Sequence, residues 1–315
     1  MKRILVLFPK DWDRDELCGR KFRGRYEFLF EGFDLFKFPQ NAALLTFDVQ
    51  QFIQRIVERY ASHPLDGVFS NNEHFGALIA AVVARRLALP GSNPLAVIDC
   101  QHKFYSRVRQ RNILPQATPR FAAFPYGVRV PEEIGLPFPF YVKPVKATYS
   151  VLARKVDDFE TLRQHLRFRA IEKLVIKKLV RPFNDLMRSH TDYAIDAHHM
   201  IAEEVLEGVP VNVDGFVHAG EVTILGFIDE VMYPGTQAFM RFEYPSRLPR
   251  TVLDRMAAIT RTLITGMGFD FGFFNVELTY DAATGEIRII EAIRGSPRSS
   301  RICIAGSTAM IPMSC

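Results

Sequence analysis

The feature that most constrains this chain is the alternation of strand and helix signals over residues 1–100. Residues 4–8 (Ile4, Leu5, Val6, Leu7, Phe8) form an uninterrupted apolar run, which reads as a strand buried on both faces. Residues 46–61 place Phe47, Phe52, Ile53, Ile56 and Val57 at helical spacing. Asp66-Gly67-Val68-Phe69-Ser70 reads as a second strand. An Ala-rich helix over 75–88 follows, with Leu78, Ile79, Val82 and Val83 inward, ending before Pro90-Gly91. Strands that alternate with helices in this way predict a parallel sheet wrapped by helices, a Rossmann-like βα unit. No G-x-G-x-x-G follows either strand, which argues against a dinucleotide site there.

A chain of 315 residues exceeds one small core and has room for two or three compact units. It contains no apolar run of ~18 residues or more, so no membrane span is expected. Met1-Lys2-Arg3 before the first apolar run superficially suggests a signal peptide. The run is too short and Lys10-Asp11 follows, so a first strand is the better reading. Cys18, Cys100, Cys303 and Cys315 have neither metal-ligand spacing nor a disulfide framework, and a reduced, cytoplasmic protein is the expectation. The net charge of +5 is dispersed. Its densest run (Lys103, Arg107, Arg109, Arg111) spaces out like the wet face of a helix. That pattern suits a small anionic substrate and does not call for nucleic acid.

From about residue 94 the pattern changes to α+β. The sequence predicts a helix over 94–111, strands over 120–124, 140–145 and 151–156, a helix over 159–169 and a polar stretch over 184–198. Strands over 200–206, 211–218 and 222–229 follow, with a hairpin turn at His218-Ala219-Gly220. A helix over 249–267 precedes a last hairpin, 273–280 and 286–291.

Three constellations carry chemistry. Lys143 stands inside the apolar strand Phe140-Tyr141-Val142-Lys143-Pro144, and Lys103 lies in Gln101-His102-Lys103-Phe104. An ammonium buried in such a strand needs an anion, and phosphate is a good one; a strand with one wet face is the competing reading. Glu203 and Glu204 close an apolar strand before Val205-Leu206-Glu207-Gly208. Paired acids there suit ribose hydroxyls or an adenine amine, and the backbone of Val205 and Leu206 suits adenine edges; a strand simply ending in a turn explains them equally. Glu277 and Glu291 lie on the two strands of the last hairpin. With the turn centred near Ala283, Glu291 falls across from Asn275, and both glutamates share one face. Two such carboxylates want a cation, and oxygen-only ligands favour Mg²⁺, although a surface hairpin is the alternative.

Taken in order, these segments resemble the ATP-grasp superfamily over residues 60–291, with the wider resemblance to ligase-like members acting on amino acids. Lys103 to Arg120, Tyr141-Val142-Lys143-Pro144, Glu203 to Gly208, Val213-Asp214-Gly215, Tyr244-Pro245-Ser246 and Asn275-Val276-Glu277 to Glu291 carry the match. The resemblance implies two α+β lobes clasping ATP, with residues 101–198 as the first lobe, 199–291 as the second and 1–100 as a preceding domain. It implies that Lys103 and Lys143 contact phosphates, that Glu203, Glu204, Val205 and Leu206 hold adenine and ribose, and that Glu277 and Glu291 bind Mg²⁺. The phosphate-covering loop falls on Lys146-Ala147-Thr148-Tyr149-Ser150, with Ser150 as a phosphate contact in place of the usual glycines. Pro210 stands where many members carry a ribose-binding Glu. Arg241, beside Pro234-Gly235, is the candidate catalytic cation. The implied reaction joins a small-molecule carboxylate to an amine through an acyl phosphate, with a nucleotide-binding module lacking turnover as the alternative. A metal-dependent hydrolase built on His190, His198 and His199 lacks any H-E-x-x-H spacing.

The tail departs from the pattern. The superfamily continues E-x-N-P-R, whereas Glu291 is followed by Ala292-Ile293-Arg294-Gly295-Ser296-Pro297-Arg298. Residues 292–315 contain no Asp or Glu and no strand or helix period. With freely chosen synonymous codons, inserting one nucleotide before codon 293 gives E-A-N-P-R-I-S-S-Q-F, which restores the motif. The expectation is that residues 292–315 are read out of frame.

Overall fold

The structure, a computed structural model, describes residues 1–147, 152–233 and 239–294. In the first sheet β1 (Lys2–Leu7) lies between β2 (Tyr26–Glu31) and β3 (Gly67–Phe69), all parallel. The crossovers run through α1 (Asp11–Leu17) and α2 (Val49–Ala61), and α3 (Gly76–Arg86) follows β3. Asp48 caps α2 by accepting from the Gln51 N–H at 2.9 Å. The parallel βα unit is as expected, with β2 and α1 added. β2 is a half-buried edge strand whose aromatic–acid run (Tyr26-Glu27-Phe28-Leu29-Phe30-Glu31) carries no clean alternation. Leu5, Leu7, Phe8, Ile53, Leu78 and Ile79 fill the first core.

The helix expected over 94–111 is two helices, α4 (Pro94–Gln101) and α5 (Lys103–Ile113). His102 breaks it in an extended conformation (φ −95°, ψ 95°), and its ring accepts from the Tyr105 N–H. The break makes Lys103 the first residue of α5.

The second sheet is antiparallel, in the order β4 (Phe121–Pro125), β7 (His199–Glu204), β5 (Phe140–Pro144), β6 (Arg154–Val156). Between β6 and β7 run α6 (Phe159–His165) and α7 (Ala170–His190). The polar stretch expected from residue 184 therefore begins inside a helix. Val180, Phe183, Leu186 and Met187, at helical spacing, bury themselves in the first core rather than in the second sheet's own.

The third sheet is antiparallel, in the order β10 (Phe239–Glu243), β9 (Glu221–Met232), β8 (Val209–His218), β11 (Phe271–Tyr280), β12 (Ile287–Arg294), with α8 (Arg250–Gly266) behind it. The β8–β9 turn has Ala219 and Gly220 both at positive φ (50° and 83°), the type I′ geometry that a two-residue hairpin favours. Val211, Val213, Phe274, Val276, Leu278 and Ile289 pack against Met256, Leu263 and Ile264 of α8. Alternation then puts Asn212, Asp214, Asn275 and Glu277 on the opposite face.

The last hairpin departs from the expected register. Leu278 pairs with Ile289 but Glu277 pairs with Glu291, so Ile290 is the extra residue of a β-bulge. Glu291 thus stands across from Glu277, and Asn275 faces Ile293. β12 also continues past residue 291. Ala292 is buried, so residues 292–294 are regular strand rather than part of an unpatterned tail. The remaining tail, 295–315, lies outside the described residues. Among the described residues, no helix is long and apolar enough to cross a membrane.

Candidate active site

The three units meet at the N-terminus of α5, the end of β5 and the polar face of the third sheet. Lys143, two residues into the buried half of β5, is 8% exposed and its Nζ lies 2.8 Å from Glu203 Oε2 on the neighbouring β7. Glu203 Oε1 accepts from Arg107 Nε at 2.8 Å. Burial alone would raise the Glu203 carboxyl, yet Arg107 and Lys143 together hold it down at about 2.

Arg107 is the largest correction to the expected wet helix face. It is 2% exposed, and its guanidinium donates to the carbonyls of Ile289 and Ile290 at 2.7 and 2.6 Å, the backbone of the bulge. One side chain thereby joins β7 of the second sheet to the bulge that sets the position of Glu291. Arg109 instead pairs with Asp99 at 3.3 Å, and Arg111 lies over the Phe121 ring.

Lys103 Nζ donates to Glu291 and, at 3.2 Å, to the carbonyl of Ala147. Burial opposes charge on Lys103 but Glu291 outweighs it, so its pKa is raised; burial likewise opposes charge on Glu291, and Lys103 and Lys143 outweigh it, so its pKa is lowered. Among the described residues Glu277 has no such bonded partner. Burial, then the like charges of Glu230 and Glu291, push it up to about 8. Burial also raises Glu230, which accepts from Asn212 Nδ2 at 2.6 Å. Asn275 donates to Asn212 and Asp214 at 2.8 and 2.7 Å. A carboxylate-rich sheet face therefore confronts a cluster of cations. A void of about 10 Å³ remains between them, lined by Lys103, Arg107, Lys143, Glu203 and Glu291 among others.

The site thus brings together Lys103, Lys143, Glu203, Glu277 and Glu291. Glu204 is turned away, held by Arg288 at 3.0 Å and by the Arg120 N–H at 3.0 Å. Val205 and Leu206 lie half-buried in the connection between β7 and β8. Arg241 sits on edge strand β10, where its Nε donates to Glu243 at 2.8 Å, and no described contact joins it to the lysines. Ser150 lies outside the described residues. His190, His198 and His199 do not converge: His190 bonds the Leu186 carbonyl, His198 lies against the Tyr126 ring, and His199 pairs with Asp196. Sequence reasoning missed Arg107, Asn212 and Glu230. Arg107 alone had a legible signal, since it follows Lys103 by one helical turn.

The donor chemistry fits Mg²⁺. Glu277 and Glu291 are hard oxygen ligands placed side by side, and the charge repulsion at Glu277 is what a divalent cation would relieve. Among the described residues no group of three or more His, Cys, Asp or Glu is gathered for a metal.

No family model and no curated protein matches the sequence. Solved structures do match. The chain is similar to L-amino acid ligase from Bacillus licheniformis, with a TM-score of 0.68 and 18% identity over 96% of this chain and 68% of that one. It is similar to N5-carboxyaminoimidazole ribonucleotide synthetase in its ADP complex (TM-score 0.67, 14% identity, 95% of this chain and 71% of that one). It is also similar to D-alanine–D-alanine ligase from Bacillus anthracis complexed with ATP (TM-score 0.60, 15% identity, 97% and 92%).

Proposed function

We propose, from the premise that this chain has the ATP-grasp fold of those ligases and synthetases, that it binds Mg-ATP between its second and third sheets and joins a small carboxylate to an amine. One observation carries the reading: Lys103 and Lys143 from one side and Glu277 and Glu291 from the other meet in a single buried site. Each lysine is now matched to an acid of the site. Phosphate oxygens and a divalent cation would take over those pairings without leaving a charge unmatched.

Bound there, Mg-ATP supplies the phosphoryl group that activates the carboxylate. The chain's own residues then act by position and charge. Lys103 and Lys143 neutralise phosphate oxygens, and their placement on a helix start and a sheet strand fixes them before the ligand arrives. Glu203 holds Lys143 and Arg107 in register. Glu277 and Glu291 hold the metal. The backbone of Val205 and Leu206 faces adenine, and among the described residues neither enters a loop hydrogen bond. From the resemblance alone, Ser150, which lies outside the described residues, is assigned to the phosphates, and Arg241 is assigned as an outer cation for phosphate or substrate.

A second reading, nucleotide binding without turnover, is favoured by Ile293. It stands two residues beyond Glu291 and across from Asn275, where the fold's ligases are expected to place a polar metal ligand. This position is also where the out-of-frame reading begins. Sequencing the DNA across codons 291–293 tests that reading, and a single intact frame with no N-P-R alternative sinks it. The function is tested by thermal shift with Mg-ATP beside ADP release with a panel of amino acids. Stabilisation with turnover supports a ligase, and stabilisation alone supports the binding module. A protein indifferent to Mg-ATP would falsify both.

A further inference from the structure

A second cation cluster lies outside the pairs just described, on the side of the site that faces the first sheet. Lys146 follows β5 and is 5% exposed. Among the described residues its Nζ meets neutral oxygens within hydrogen-bond range, the Glu73 carbonyl at 3.4 Å and Gln101 Oε1 at 3.3 Å, and it lies 5.1 Å from the Phe183 ring centre. Among the described residues no carboxylate bonds it. An ammonium enclosed in this way is costly unless an anion joins it.

His74 is the other half. It sits in the β3–α3 loop, directly after the residue whose carbonyl Lys146 touches, and is 8% exposed. Its Nδ1 is buried with no hydrogen-bond partner among the described residues. The loop is pinned: Asn72 Oδ1 accepts from the His74 N–H at 3.0 Å. Two groups able to bond an anion, one in the first sheet's loop and one just after β5, are therefore brought to one place by the contact of Lys146 with the Glu73 carbonyl.

We propose that His74 and Lys146 form the seat for a free carboxylate of the small-molecule substrate, beside the phosphate lysine Lys103; this rests on the ligase reading above. The charges around the seat support it. Burial, then the neighbouring Lys103, lower Lys146 to about 7, while burial and Lys146 lower His74 to about 3. Glu291, Glu73 and Cys100 act on Lys146 in the opposite sense and do not offset this. Among the described residues no carboxylate bonds Lys146 or the His74 ring, and a substrate carboxylate would take that place through charge-assisted bonds to Lys146 and to a protonated Nδ1 of His74. Because the seat adjoins the triphosphate lysine, a substrate held there by one end presents its other end to the phosphates.

The test measures binding and ADP release, with and without Mg-AMP-PNP for the binding arm and with Mg-ATP for turnover. The probes are L-amino acids, their amides (carboxylate removed) and their N-acetyl derivatives (amine blocked). Amino acids should bind roughly tenfold or more tightly than the amides. Lys146→Gln and His74→Asn should each weaken the acids about 10–100-fold and leave the amides unmoved. N-acetyl derivatives that bind as tightly as the free amino acids, and are weakened alike by both variants, show that the seat reads the carboxylate and not the amine. Acids and amides binding alike, or both variants retaining native affinity for acids, overturns the proposal. Absence of any AMP-PNP shift counts against the nucleotide reading instead, because the carboxylate panel is also run without nucleotide.

Discussion

At the scale of single residues, Lys143 and Glu277 are opposite cases of burial. Lys143 has a carboxylate at 2.8 Å, and that carboxylate has a second cation in Arg107. Replacing Lys143 with Met therefore leaves Glu203 matched, and the fold should survive while phosphate loses a cation. The expected outcome is a rise in the dissociation constant for Mg-ATP of about 10–100-fold with a nearly unchanged Tm, read by calorimetry and thermal unfolding. Glu277 is raised from its ordinary 4.5 to about 8. Between those values the folded protein holds a proton that the unfolded chain has released, so the metal-free fold loses stability as pH rises through this window and levels off above it. Glu277→Gln should remove that slope. Its Tm should exceed the native one by a few degrees at pH 9 and match it near pH 4.5, whereas Mg²⁺ should raise the native Tm at pH 9 and leave the variant's unchanged. A native protein whose metal-free Tm is flat from pH 5 to 9 would sink this account of Glu277.

At the scale of elements, the bulge in β12 and its clip by α5 decide where the acids stand. Arg107 uses three nitrogens on Glu203, Gln110 and the carbonyls of Ile289 and Ile290. Arg107→Met strands those carbonyls and leaves Glu203 with Lys143 alone, which should cost about 3–5 kcal/mol in chemical denaturation. Arg107→Lys should recover little of it, because a single ammonium cannot span the planar fork. A lysine variant of native stability would show that the fork's geometry is irrelevant. The same elements explain what was legible in advance. Lys143 inside an apolar strand, the glutamates of the last hairpin and the turn at Ala219-Gly220 are local patterns, and local patterns survive in sequence. The bulge is not local. Its extra residue is held by a helix nearly two hundred positions upstream, and it makes one of the two steps by which symmetric pairing about Ala283 missed Glu277; the other is in the turn, where Tyr280 already pairs with Ile287. Arg107 and α7 were misjudged for the same reason. A charged side chain at helical spacing reads as wet until the partner that buries it is known, and Phe183, Leu186 and Met187 find their core in the first sheet, far away in sequence.

At the scale of the whole molecule, the second and third sheets are joined through the short connection between β7 and β8, and Gly208 is its most constrained point. Its φ is +109°, and a Cβ there would lie 2.4 Å from the carbonyl oxygen of Tyr280 on β11. The contact is with backbone, so nothing short of moving a strand relieves it. Gly220, in the β8–β9 turn, also has a positive φ of +83°, but a Cβ there meets nothing within 4 Å. The pair separates conformational strain from steric displacement. Gly220→Ala should cost only the left-handed penalty, about 1–2 kcal/mol, and leave nucleotide binding intact. Gly208→Ala carries the same penalty plus the clash. It should shift β7 relative to β11, and with them the Lys143–Glu203 pair relative to Glu277. Its expected signature is a larger loss of stability together with a weakened Mg-ATP response, because the two halves of the site ride on the two sheets it connects. If Gly208→Ala lowers stability no more than Gly220→Ala and binds Mg-ATP as the native protein does, the connection does not set the spacing of the lysines and the acids.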